Sequence, residues 1–139
     1  MKNYPKPEQF PLISYDKLRY GDTDRQGHVN NAVFATLLET GRVEVLYNPK
    51  KPLTDENCSF VIVNLTLNFL SEITWPGRVE IGSRVAAIGR SSITIEQALF
   101  QDNRCVATAN TVVVQMNDAE KRSQSLNDLA VAHLSSLMR

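Results

Sequence analysis

Asp22, Asp24, His28, Asn30 and Asn31 fall within ten positions of the segment Tyr20-Gly-Asp-Thr-Asp-Arg-Gln-Gly-His-Val-Asn-Asn31. Two carboxylates, an imidazole and two amides at that density offer a nucleophile or general base, a proton carrier and hydrogen-bonding groups. The apolar run Ala32 to Tyr47 follows at once, so the cluster sits where a strand gives way to a helix. The first N–H groups of a helix lack intrahelical partners and stand at the positive end of its dipole. They can receive an anion or a developing oxyanion. A loop that only joins two elements needs no such set.

The elements around it are legible from periodicity. Pro5, Pro7 and Pro11 imply an extended N-terminal arm, and Ile13 to Tyr20 alternates as a strand. After a loop at 21–30, Asn31 to Tyr47 reads as a helix of about 25 Å. Its first half is apolar almost all round, which predicts burial on most sides. Asn48-Pro49 stops it, and Lys50 to Asn57 is a loop. The period then becomes two. Val61, Val63, Leu65, Leu67 and Phe69 read as one apolar strand face, with Asn64, Thr66 and Asn68 opposite. Trp75-Pro76-Gly77 is a turn signal, and strands follow over Arg78–Ile88, Ser92–Gln101 and Arg104–Met116. Asp102-Asn103 suits a tight hairpin. Ser125-Leu-Asn-Asp128 resembles a capping box opening a short amphipathic helix.

The order is strand, long helix, four antiparallel strands, terminal helix. A helix apolar on most sides needs a sheet that curls around it, which makes the expected class α+β. One domain is expected over 1–139, with its core at about 13–117 and the terminal helix at about 125–138. Fifteen basic and fifteen acidic side chains cancel, which argues against nucleic acid as a partner. The longest apolar stretches fall short of the ~20 residues of a membrane helix, and no signal-like run is present. Cys58 and Cys105 lack paired spacing and read as buried, reduced thiols, so the expected location is cytoplasmic.

Tyr20-x-Asp-x-Asp24-x-x-Gly-His-Val-Asn-Asn31, with Phe34, Glu39 and Arg42 after it, resembles the 4-hydroxybenzoyl-CoA thioesterase-like family of acyl-CoA thioesterases. The resemblance runs from about Ile13 to about Met116 and includes the connection Phe69 to Gly82. It implies the hotdog fold, a long central helix wrapped by a curved antiparallel sheet. It also implies that Asp24 is the catalytic carboxylate, acting as nucleophile on a thioester carbonyl or as general base for water. The oxyanion donor is implied to be the backbone N–H at or near Asn31. Compared with the plant acyl-carrier-protein thioesterases, Asp24 and His28 match while Gln26 replaces an Asn. Phe34 stands where many relatives carry Tyr.

Each residue also has a plainer use. Asp24 can cap the loop or the helix, and His28 can be a packed loop histidine. The Asn30 and Asn31 side chains suit loop backbone groups. Glu39 and Arg42, three apart on the helix, suit an ion pair. Asp22, Asp24 and His28 lack a fourth ligand for a metal, so no metal and no cofactor is expected. Arg90 and Ser91, at a strand end, are the pair best placed to reach the phosphates of coenzyme A.

The expected activity is hydrolysis of an acyl-CoA thioester, or an acyl-carrier-protein thioester, to free acid and thiol. Asp24, His28 and Asn31 would be catalytic, and Arg90 and Ser91 substrate-binding. The family places its sites at subunit interfaces, so a homodimer or homotetramer is implied. The alternative is a non-catalytic acyl-CoA or acyl-carrier binding module of the same fold. The Asp/His helix motif of hotdog hydratases and dehydratases is not found.

Overall fold

In the computed structural model, which describes residues 3–48 and 51–138, the chain runs β1 (Leu12–Lys17), α1 (Asn31–Leu46), β2 (Tyr47–Asn48), β3 (Lys51–Pro52) and β4 (Cys58–Phe69). It continues through β5 (Arg78–Ile88), β6 (Ser92–Gln101), β7 (Arg104–Asn117), β8 (Arg122–Ser123) and α2 (Asp128–Ser135). The main sheet has the order β1-β5-β6-β7-β4, with β8 on β7 and every pair antiparallel. The sheet curls about α1, which packs against β1, β5 and β6. This is the hotdog fold. Asp102 and Asn103 both take positive φ in the β6–β7 turn, as a two-residue hairpin of this kind requires. The expected stop at Pro49 lies outside the described residues.

Several expected details change. β1 ends at Lys17 rather than Tyr20, because Leu18 N–H turns to Gly77 O and Tyr20–Asp22 forms a single 3-10 turn. The apolar face read along β4 is broken by a bulge: Ile62 faces Val113 and Asn64 faces Val112, leaving Val63 unpaired. One extra residue reverses the alternation. Phe60 and Ile62 therefore share the inner face with Leu65, Leu67 and Phe69, opposite the buried side chains of β7, while Val61 lies outside. The terminal helix is capped by Asn127, whose Oδ1 accepts from Ala130 N–H at 2.7 Å. Ser125 cannot cap it, since Leu126 N–H still bonds strand-like to Arg90 O. Cys58 is only half-buried, unlike Cys105.

Two large apolar clusters make up most of the core, beside a smaller one of Ala98, Phe100 and Cys105. One of the large two gathers Leu37, Leu38, Ile81 and Leu99; the other gathers Val45, Val85, Ile95 and Leu134. Between them on each element stands a polar layer: Arg42 on α1, Ser83 on β5 and Gln97 on β6, all buried. Gln97 Nε2 donates to Leu38 O at 2.9 Å and to Ser83 Oγ at 3.0 Å, and its Oε1 accepts from Arg42 at 3.5 Å. Gly41 makes this closeness possible, because a Cβ there would lie 2.6 Å from Ile81 Cγ2 and 2.8 Å from Gln97 Nε2. Arg42 thus faces the sheet instead of pairing with Glu39, which is exposed on another face of the helix. Burial pushes the Arg42 guanidinium below its usual pKa, and the Glu39 charge works against that.

The helix is also less enclosed than its composition predicts. Ala32, Thr36, Glu39 and Val43, spaced four, three and four apart, line the side of α1 away from the sheet, and Ala32, Glu39 and Val43 are exposed in the single chain. β4 is an edge strand with Ile62, Val63 and Phe69 about half exposed. Two apolar surfaces that the sequence marks for burial are therefore open on one copy of the chain.

Candidate active site

The loop before α1 is a small hairpin of its own. Thr23 bridges Val29, Asp24 N–H donates to His28 O at 2.8 Å, and Asn30 N–H donates to Asp22 O at 2.9 Å. Gly27 closes the turn with φ of 80°, a conformation that side chains with a Cβ adopt only at a cost. The hairpin is fastened to the β4–β5 connection by Val29 N–H on Ile73 O and by pairing of His28 with Thr74. Thr74 is in turn held by Gln101, whose side chain bonds both its N–H (3.0 Å) and its O (2.7 Å).

Asp24 sits exposed at this tip. Its Oδ1 accepts from Gln26 N–H at 2.8 Å and His28 N–H at 3.2 Å. Among the described residues nothing donates to Oδ2. One oxygen fixes the rotamer and the other faces outward unengaged, which suits a nucleophile or a base. Gln26 contributes its main chain here. His28 is half-buried, and its Nε2 lies 3.1 Å from Glu72 Oε2.

Asp22, two residues earlier, has a different environment. It is buried, and both oxygens are taken by Arg19, Oδ2 by N–H at 2.8 Å and Oδ1 by Nη2 at 3.0 Å. The Arg19 backbone N–H, helped by its side chain and opposed by burial, holds the Asp22 carboxyl below its usual pKa. Asp22 holds the loop and has no oxygen to spare.

The helix start is capped from the same hairpin. Asn30 Oδ1 accepts from Ala32 N–H at 2.9 Å and Asn30 O from Val33 N–H at 2.9 Å. Asn31 N–H, the first of the helix, donates to no group among the described residues and points out of the positive end of a 16-residue helix. Phe34 is buried and packs edge-on against Phe69 with centroids 5.0 Å apart.

Arg90 and Ser91 lie in the β5–β6 turn. Arg90 donates to Ser125 Oγ at 2.5 Å and Ser123 Oγ at 3.3 Å. It lines an open cleft of about 480 Å³ with Arg122, Ser123 and Ser125. Ser91 contributes its carbonyl to Gln115 N–H. The structure does not bring these residues to Asp24. They stand at opposite ends of the 11-residue β5, about 33 Å apart along the strand. Sequence reasoning misses Glu72, which lies in the connection Phe69 to Gly82, and it takes Ser125 for a helix cap.

A sequence profile described as the Thioesterase superfamily matches residues 26–107. The chain belongs to the thioesterase superfamily. The match takes in His28, Asn31, Glu72, Arg90 and Ser91 and begins two residues after Asp24. Among solved structures, a Thermus thermophilus thioesterase complexed with coenzyme A and zinc is 25% identical, with TM-score 0.81 over 94% of this chain and 96% of that one. The PA5185 protein of Pseudomonas aeruginosa is 24% identical, with TM-score 0.83 over 96% and 95%. YbaW of Escherichia coli is 22% identical, with TM-score 0.75 over 92% and 99%. The latter two likenesses are of fold. No curated protein matches the sequence. Superfamily membership supports thioester hydrolysis as the class of reaction.

Proposed function

We propose that the chain is a homodimeric acyl-CoA thioesterase whose sites are shared between subunits. The observation that carries the reading is Asp24, pinned through Oδ1 with Oδ2 unengaged, at the entry to a helix whose Asn31 N–H is also unengaged. Oδ2 attacks the thioester carbonyl or takes a proton from the attacking water. The Asn31 N–H holds the carbonyl oxygen as charge develops on it. The C–S bond then breaks and coenzyme A leaves as its thiolate; where Oδ2 has attacked, a water then cleaves the resulting anhydride, which releases the acid and restores the Asp24 carboxylate. The Thermus thermophilus thioesterase, solved with coenzyme A, supports the carrier class.

Strand register supports the shared site. The Phe69 end of β4 adjoins the Asp24 loop through Phe34, which packs on Phe69, and through Ile73 O, which accepts from Val29 N–H. The Cys58 end adjoins Asn117, and nearby Gln115 N–H reaches Ser91 O. A two-fold pairing of β4 with its copy sets the Phe69 end of one subunit beside the Cys58 end of the other. Asp24 of one copy then lies on the same side as Arg90 of the second. Such pairing also covers the apolar edge strand. Within one chain the thiols cannot pair: Cys58 is opposite Asn117, twelve residues (117 − 105) along β7 from Cys105, or about 40 Å. Two reduced thiols fit a cytoplasmic setting.

The test is thiol release from short, long and aromatic acyl-CoA and acyl-carrier-protein thioesters. Asp24→Asn should lower kcat by about 10³-fold while coenzyme A affinity holds. A wild type that binds acyl-CoA but releases no thiol would instead identify a binding module.

A further inference from the structure

Arg42 is a buried charge without a counter-ion. Among the described residues its guanidinium has one bond, to Gln97 Oε1 at 3.5 Å, and it joins none of the ion pairs. Buried charges are costly unless paired. The spare nitrogens of Arg42 are not sealed in, because the fully enclosed side-chain atoms without partners are the hydroxyls of Ser14 and Thr111. Glu39 is the converse case, an exposed carboxylate that also joins none of the ion pairs.

Both residues lie on the flank of α1 that faces β4. The helix turns about 100° per residue, and Gly41 faces the sheet, against Ile81 and Gln97. Val33 and Leu37 fall to one side of that line, where they share a cleft with Asp16 and Lys17 of β1. Arg42 falls to the other side, as does Phe34, which meets Phe69 of β4. Glu39 is roughly 60° farther round the same flank. The levels also agree. Phe34 stacks on Phe69 near the start of α1, and Tyr47 stacks on Phe60 just past its end. The midpoint of Phe34 and Tyr47 falls between Thr40 and Gly41, and that of Phe60 and Phe69 falls between Asn64 and Leu65. β4 has its own midpoint between Val63 and Asn64. A two-fold axis that pairs the middle of β4 with its copy therefore passes α1 near Thr40 and Gly41. Glu39 and Arg42 are symmetric about that level, so the axis exchanges one for the other.

We propose that Arg42 takes its counter-ion from Glu39 of the partner subunit. The pair that the spacing suggests within one helix then forms twice across the dimer. The proposal rests on the homodimer of the thioesterase reading and specifies a surface that joins it.

The test uses two variant chains, Glu39→Arg and Arg42→Glu. Each alone sets like charges against one another across the axis, and its dimer dissociation constant should rise about 100-fold or more. Mixed in equal amounts, the two should associate as a dimer of one chain of each kind, with a dissociation constant within about tenfold of wild type. Sedimentation measures the constant, and native mass spectrometry identifies the mixed dimer. Pairing within a chain cannot give this rescue, since each variant chain carries like charges at both positions. Should the Arg42→Glu chain not fold, Glu39→Arg decides alone: circular dichroism should stay native while the dimer is lost. A Glu39→Arg chain that dimerises like wild type, or two folded variants that stay apart when mixed, overturns the proposal. A monomeric wild type overturns the homodimer reading itself.

Discussion

At the open end of the β5–β6 hairpin, where Arg78 faces Lys17 and Gln101 holds Thr74, the functional groups are carboxylates, an imidazole and a helix N–H. At the turned end they are guanidinium groups and hydroxyls, Arg90 and Arg122 with Ser123 and Ser125, and one carboxylate, Glu120, paired with Arg122 at 3.3 Å. The first set is locked by main-chain bonds, down to one oxygen of Asp24. The second is held by side chains reaching to side chains. Reacting groups need a fixed geometry, whereas groups that hold a flexible phosphate chain can follow it. On the proposed reading, one copy of the chain contains each half once, too far apart to serve one reacting thioester.

The sharpest way to break this division is complementation. Asp24→Asn and Arg90→Ala chains, each inactive at low substrate, should regain activity when unfolded and refolded together. Random pairing makes half the dimers mixed, each with one intact site of two, so about a quarter of wild-type activity returns. Recovery of nothing would place Asp24 and Arg90 in the same subunit's site or remove Arg90 from it. A smaller effect is expected within the loop itself. Asp22→Asn should destabilise the fold by about 1–2 kcal/mol at neutral pH by removing charge from two bonds to Arg19. The sign follows from the lowered Asp22 pKa: its contribution is full above the unfolded value near 3.9 and lost as pH falls through the folded one. Denaturant titrations of wild type and variant should therefore begin to converge below about pH 4 and meet once Asp22 is protonated in the folded state, and a gap that never narrows with acid would remove the charge from the explanation. Smallest of all, Gly27→Ala should cost about 1 kcal/mol, since the space is open and only the positive φ resists. A thermal melt checks it, and an unchanged midpoint would mean the turn relaxes to negative φ.

The acid–amide motif and the strands were legible because both are local. Asp24 to Asn31 is one hairpin and one helix start, and period-two alternation holds over most of β5, β6 and β7, although bulges at Ala86 and Val106 shift it near one end of β5 and of β7. Long-range choices were not. A bulge at Val63 leaves the alternation of apolar letters intact while exchanging their faces. Arg42 has a charged neighbour three residues away on α1 and takes Gln97, on β6, instead. Glu72 acquires its place only when the β4–β5 connection folds back on the loop, and nothing local announces that. Arg90 stands out by charge and by its position in the turn, but the serines that hold it lie beyond β7.

The polar layer under α1 has a consequence at the far end of the molecule. A helix of 16 residues is a rod about 24 Å long, and a rod lying on apolar side chains alone can slide by a turn at modest cost. Gln97, bonded to the carbonyl of Leu38 and fitted against the bare Cα of Gly41, accepts one register and clashes with its neighbours. It acts as a detent. The position of the Asn31 amide is therefore set seven to ten residues away (38 and 41 against 31), at contacts that never see the substrate.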